Sequence, residues 1–195
     1  MRVVGLDLSY SRTGFACIEN SHLTLDNFKT KPGPLIPRTS EIVGWVLSRL
    51  VHPVDLVVVE RAVFGGHRAS MLGGLSAAVL VAIYEKFPSC SILLIPPPTL
   101  KRWAGVKGTK KSLMVQAFRV ECPEIKACHD EVDAYFLATL GWSYCLKRAG
   151  LSIVPRADDI LFSRKLIKTG APKGYALRYG DYFYEGRNHG IPTQS

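Results

Sequence analysis

Four carboxylates sit at positions that would otherwise read as buried. Asp7 interrupts the apolar run RVVGLDLSY, Glu60 ends DLVVVE, and Asp130 and Asp133 lie at the front of HDEVDAYFLATLGW. In a strand, alternation puts Val3, Gly5 and Asp7 on one face and Val4, Leu6 and Leu8 on the other. In a helix, the stripe begun by Asp130 and Asp133 continues through Ala134, Leu137, Ala138 and Gly141, which must pack inward. Both aspartates then point toward the sheet. A carboxylate on a buried face is costly unless something holds it, and several together repel one another in a low dielectric. Such a cluster is most useful when it binds cations. Oxygen donors alone select hard ions, Mg²⁺ or Mn²⁺, rather than zinc. Two such ions about 4 Å apart, bridged by a carboxylate, can activate an attacking water and stabilise the leaving oxygen of a phosphodiester. Taken singly, each acid also has a plainer reading. Asp7 can cap the SYSRTG turn, Glu60 can be a surface acid at a strand end, and Asp130 can cap a helix or favour its dipole.

Strands and helices must bring these acids together. RVVGLDLSY, GFACIE and HLTLDNF are strand-like runs joined by short turns, which predicts an antiparallel meander. After the Pro/Gly-rich loop KTKPGPLIPR, the spacing of Ile42, Val43, Val46, Leu47 and Leu50 predicts a helix over 39–51. DLVVVE (55–60) reads as a central strand apolar on both faces, followed by a helix over 68–86. CSILLI reads as a fifth strand, ended by Pro96, Pro97 and Pro98, with helices over 110–120 and 129–147 closing the domain. The expected class is α/β: a mixed five-stranded sheet, three antiparallel strands then two parallel, covered by helices on both faces. The expected division is a domain over 1–150 and a basic, Tyr-rich extension over 151–195, read either as an arm for nucleic acid or as a tail packed on the domain or partly disordered.

Composition narrows the partners. A chain of 195 residues with 47% hydrophobic content can bury one good core. It has no apolar run near the roughly 18 residues a membrane span needs and no signal-peptide pattern, so an intracellular protein that does not enter membranes is expected. Its five cysteines do not suggest a disulfide framework. Cys122, Cys128 and His129 lack the further ligand that tetrahedral zinc requires. The net charge of +9 suits a phosphate-rich partner. Lys101, Arg102, Lys107, Lys110, Lys111 and Arg119 fall in one stretch, 101–120, that holds no acid, with Trp103 and Phe118 among them. A cationic surface with apolar anchors is implied.

GLDLSYSRTGFACIE, VVVERAVF, the Pro-rich exit into LKRWAGVKGTKKSLMVQ, and HDEVDAYFLA occur in one order. In this the chain resembles the RuvC-type Holliday junction resolvases of the RNase H-like, or retroviral-integrase, superfamily over about residues 1–150. The resemblance implies an RNase H-like fold, with Asp7, Glu60, Asp130 and Asp133 as catalytic carboxylates holding two Mg²⁺ ions, with Mn²⁺ as the substitute ion. It implies a homodimer that nicks opposed strands of a four-way DNA junction and leaves 5′-phosphate and 3′-hydroxyl ends. Lys101 and Lys111 match basic residues near the scissile phosphate, and Lys107, Lys110 and Arg61 join them as expected DNA contacts. Phe64 matches an aromatic that inserts at the crossover, although ERAVF is one residue longer than the family spacing. His129 either helps to activate water or flanks the helix start. A nuclease of broader branched-DNA range and a junction-binding module without catalysis are the rival readings. An actin-like ATPase, suggested by Asp-x-Ser before a Thr-Gly turn, would need a second phosphate loop and a Gly-rich adenosine site that the sequence does not contain.

Overall fold

The computed structural model describes residues 1–50, 53–61, 66–108, 110–151 and 182–184. The chain opens with β1 (Arg2–Asp7), β2 (Arg12–Glu19) and β3 (His22–Lys29), each antiparallel to the one before it. A two-residue turn joins β2 to β3. Asn20 and Ser21 both have positive φ, 48° and 68°, the turn whose twist suits a right-twisted hairpin. Then come α1 (Leu35–Arg49), β4 (Leu56–Glu60), α2 (Gly66–Lys86), β5 (Ser91–Ile95), α3 (Pro97–Trp103), α4 (Lys111–Glu121) and α5 (His129–Arg148). β4 lies parallel between β1 and β5, as the mixed sheet expected from the sequence requires.

A sixth strand, β6 (Tyr182–Tyr184), pairs antiparallel with β5 and completes the order β3-β2-β1-β4-β5-β6. Three residues are too few to show a period of two, so this strand left no signal in the sequence pattern. One helix starts earlier than expected and another, α3, was not expected at all, and proline accounts for both. α1 begins at Leu35 with Pro34 as its cap and Pro37 in its first turn, where the missing N–H has no helical partner to lose. In the same way Pro96 caps α3 and Pro97 occupies its first position, with φ already set for a helix. The prolines that end β5 therefore also begin α3.

Burial follows the strand alternation. On one face, Val3, Leu56, Val58 and Leu93 pack with Ala134, Leu137, Ala138 and Leu140 of α5, with Phe118 and Met114 of α4 and with Leu100 and Trp103 of α3. On the other, Val4, Leu6, Val57 and Val59 pack with Ile42 and Val46 of α1 and Leu75, Val79 and Ile83 of α2. Trp103 Nε1 donates to Thr139 Oγ1 at 2.9 Å, and the Tyr135 hydroxyl donates to Glu121 Oε2 at 2.9 Å, so α3 and α4 are each tied to α5. The basic segment thus has the apolar anchors expected of it: Trp103 and Phe118 are both buried. Among the described residues, no helix is long and apolar enough to cross a membrane.

α5 lies unusually close to the sheet. A Cβ placed on Gly5 would stand 2.1 Å from the Ala134 carbonyl oxygen and 2.6 Å from the Ala138 nitrogen. Both are backbone atoms, so no side-chain rotation can relieve the overlap. Gly5→Ala should therefore lower stability by about 2–3 kcal/mol. Gly33→Ala, whose added methyl meets nothing within 4 Å, should change it by less than about 0.5 kcal/mol. Urea unfolding of the two variants checks this, and equal losses would mean that α5 does not ride on Gly5.

All five cysteines are free thiols. Burial pushes Cys90 from the ordinary thiol value of 9.0 up to about 12, and Cys145 to about 11. Because these folded values are raised, the unfolded chain loses its thiol protons first as pH climbs. The stability they contribute is complete below pH 9 and is lost between 9 and about 12. The urea midpoint should fall across that window, and less steeply in Cys90→Ala. Parallel pH profiles would show that Cys90 is not held as the neutral thiol.

Candidate active site

β1 and β4 run parallel in a register that sets Leu6 beside Val59. Asp7 and Glu60 are the next residues, and each is the last of its strand. Adjacent strands lie about 4.8 Å apart, so two carboxylates end neighbouring strands at the same edge of the sheet. By alternation both share the face that carries Val3 and Val58, the face covered by α5. Both are half-buried, and each has interaction partners. The carboxyl ends of parallel strands are the usual location for a site in an open α/β sheet.

α5 supplies the other two acids, and its N-terminus is tied down twice. Glu131 Oε2 accepts from the Cys128 backbone N–H at 2.6 Å, one half of a capping box in which Cys128 is the cap. Glu131 Oε1 accepts from Asn27 Nδ2 of β3 at 2.8 Å. The first turn also descends onto β2. A Cβ on Gly14 would stand 2.0 Å from the Asp130 carbonyl oxygen, and Gly14 is the cross-strand partner of Asp7. Asp130 is thereby held over the residue beside Asp7, and Asp133 follows one turn later, half-buried. The inward stripe expected from the sequence is present: Ala134, Leu137 and Ala138 are fully buried, and Gly141 meets Val58 and Val3.

The Asp130 side chain is in contact with a cation of the chain itself. Arg12 Nη1, at the start of β2, lies 3.6 Å from Asp130 Oδ2, with both side chains partly shielded from solvent at 29% and 21% exposure. The Cys128 thiol approaches the same oxygen at 4.0 Å. Among the described residues, no three His, Cys, Asp or Glu side chains stand close enough together to ligate one ion. The four acids therefore share one end of the sheet as backbone positions and as hard oxygen donors, but their side chains are not drawn into a ligand cage.

The cationic segment leaves the sheet at this same end. Glu60 pairs with Ile95, the last residue of β5, and the Arg61 backbone N–H donates to the Ile95 carbonyl at 2.8 Å. α3 starts two residues later, carrying Lys101 (half-buried) and Arg102 (exposed) in its last turn. Lys107 and Lys110 are exposed on the connection to α4, which Lys111 opens. His129 is the first residue of α5 and is exposed. Arg61 is half-buried immediately after Glu60, and Phe64 lies outside the described residues. Sequence reasoning missed Arg12, Gly14 and Glu131. Of these only Glu131 left a signal, its three-residue spacing from a helix cap, and that signal was obscured because the cap is a cysteine.

No protein-family model matches the chain, and no curated protein matches it. Solved structures do. Thermus thermophilus RuvC in complex with a Holliday junction substrate superposes with a TM-score of 0.57 at 22% identity, covering 77% of this chain and 97% of that one. A second Thermus thermophilus RuvC structure gives 0.58 at 24% identity, covering 77% and 98%. The fowlpox virus resolvase, in complex with Holliday junction DNA, is more distant, at 0.47 and 14% identity over 75% and 99%. With its strand order and the helix packed across β1 and β2, the chain has the RNase H-like fold of Thermus thermophilus RuvC.

Proposed function

We propose that this protein is a RuvC-type endonuclease that resolves four-way DNA junctions inside the cell as a homodimer, with divalent metal bound by Asp7, Glu60, Asp130 and Asp133. The observation that carries the reading is the meeting of two strand-end carboxylates with the acidic first turns of α5 at one end of the sheet. It is supported by the fold shared with a protein solved on a Holliday junction substrate and by the net charge of +9. The donor set is oxygen only, which suits Mg²⁺ or Mn²⁺. Two such ions, when bound, would supply activation of water and neutralisation of charge on the phosphate.

The chain's own residues do the rest. Asp7 and Glu60 are fixed by the strand register, so their separation does not depend on loop geometry. Asp130 and Asp133 are aimed by a helix whose start is clamped to β3 through Glu131 and Asn27. Arg12 is paired with Asp130, and a bound divalent ion would take over the neutralisation of that carboxylate. Lys101, Lys107, Lys110, Lys111 and Arg61 meet the sugar-phosphate backbone, which fixes position without reading sequence. Phe64 enters the junction crossover, and His129, exposed beside Asp130, is available to carry a proton to solvent. For the dimer contact we propose α2, whose outward Val81 is 55% exposed and Tyr84 38% exposed, while Leu75, Val79 and Ile83 serve the core.

Cleavage of a labelled synthetic four-way junction, run beside matched duplex and fork with Mg²⁺ or with chelator, tests the whole reading. Paired symmetric nicks in the junction alone, lost with chelator, are expected. Cutting of all three substrates would replace it with a general branched-DNA nuclease, and tight binding without cutting would replace it with a recognition module. Asp7→Asn should reduce cutting by more than about a hundredfold, beyond what the loss of mere supporting contacts costs, while junction affinity stays within about twofold. A variant that cuts at the unaltered rate would refute the metal assignment.

A further inference from the structure

A second cationic surface lies at the carboxylate end of the sheet, on the side away from α3. From Asn27 to Ser40 the chain carries Lys29, Lys31 and Arg38 and no acid. β3 sets Lys29 directly opposite Arg12, two residues from the pairing of Asn27 with Gly14. Asn27 reaches Glu131 of α5 and Arg12 reaches Asp130, so by alternation Lys29 lies on the α5 face as well. Across this end the strands thus present Lys29 on β3, Arg12 on β2, Asp7 on β1 and Glu60 on β4. Lys101 follows beyond β5. The acids are bracketed by cations.

Like charges directly opposite one another weaken a sheet. Arg12 is answered by Asp130 at 3.6 Å, but among the described residues no carboxylate pairs with Lys29 or Lys31. Both lysines are exposed.

The corner that carries them is nevertheless fixed. Thr30, between the two lysines, donates its hydroxyl to the Tyr10 carbonyl, and Arg38 Nη2 donates to the same oxygen. Arg38 Nη2 also donates to Thr30 Oγ1 at 3.1 Å, and its guanidinium lies over the Tyr10 ring. The Tyr10 and Thr39 hydroxyls share a hydrogen bond of 3.0 Å. Tyr10 comes three residues after Asp7, so the lysines are tied to the loop that leaves the Asp7 strand. Apolar surface lies open beside them: Ile36, in the first turn of α1, is 81% exposed. Unpaired cations on a rigid frame, next to open apolar surface, match a partner with regularly spaced negative charge and apolar edges. A nucleic-acid backbone with its sugars is such a partner.

We propose, on the nuclease reading given above, that Lys29 and Lys31 hold the DNA backbone on the side of the carboxylates opposite α3, with Ile36 resting against the sugars. Lys29 stands two strands from Asp7, about 10 Å across the sheet. That is roughly three nucleotides of one DNA strand at about 3.4 Å each. The phosphate held there is therefore neither the one at the acids nor those met by Lys101 and Lys111. A strand laid along the sheet end is gripped on both sides of the carboxylates, which fixes its direction over them.

Binding of a fluorescent four-way junction by the full chain, followed by anisotropy in chelator over a range of NaCl concentrations, tests this without cutting or metal. The double variant Lys29→Gln/Lys31→Gln, its fold checked by circular dichroism, should bind about tenfold more weakly. Its plot of log affinity against log salt should be shallower by about 1–2, as expected when two phosphate contacts are lost. Ile36→Ser should weaken binding severalfold with the slope unchanged, because an apolar contact releases no counterions. Lys86→Gln, at the end of α2, should alter neither quantity. Unchanged affinity or slope in the double variant, unchanged affinity in Ile36→Ser, or an equal loss in Lys86→Gln would overturn this surface and leave the functional reading standing. An unaltered protein that binds no DNA would overturn both.

Discussion

The contact between α5 and the sheet is the constraint on which the rest depends. At Gly5 and Gly14 the helix backbone approaches the strand backbone with no side chain between them, and the helix lies across β1 and β2 as a result. The contact is made of main-chain atoms, so it is stiff in a way that interdigitated side chains are not. That stiffness sets how far Asp130 and Asp133 stand from Asp7. Glu131 extends the same restraint to β3, by linking the first turn of α5 to Asn27. The glycines, the capping box and the register of β1 with β4 therefore act on one quantity, the separation of four carboxylates.

Electrostatics works against that geometry. Acids gathered at the end of a sheet repel one another, and the chain limits the repulsion by leaving each partly open to water and by setting Arg12 against Asp130. A chain with net charge +9 thus concentrates negative charge in one place, and its acid-free positive segment emerges from the same edge through α3 and α4. On the function proposed above, opposite fields side by side would suit a polyanion held by its backbone. The same sheet treats its other end differently: Arg2, at the start of β1, is buried there with two of its nitrogens lacking an acceptor.

Much of this was legible in the order of residues. Central strands with both faces covered are apolar throughout, and β4 and β5 were readable for that reason. The faces of β1 and α5 followed from periods of two and 3.6, so the inward direction of Asp7, Asp130 and Asp133 could be stated without a structure. Short or proline-led elements were not legible. α3 begins at prolines that also stop a strand, and β6 is three residues long, too short for any period to appear.

What the sequence determined by itself was the alternation that buries each element on a given face and the anomaly of acids on those faces, because both are local properties of residue type and spacing. What only the tertiary structure decided was proximity. That Gly14 of β2 lies under Asp130, that Arg12 pairs with the Asp130 carboxylate, and that Arg2 is buried beside a cavity all depend on pairs far apart in the chain. Such contacts arise from strand register and helix placement, and no local pattern of residues encodes them.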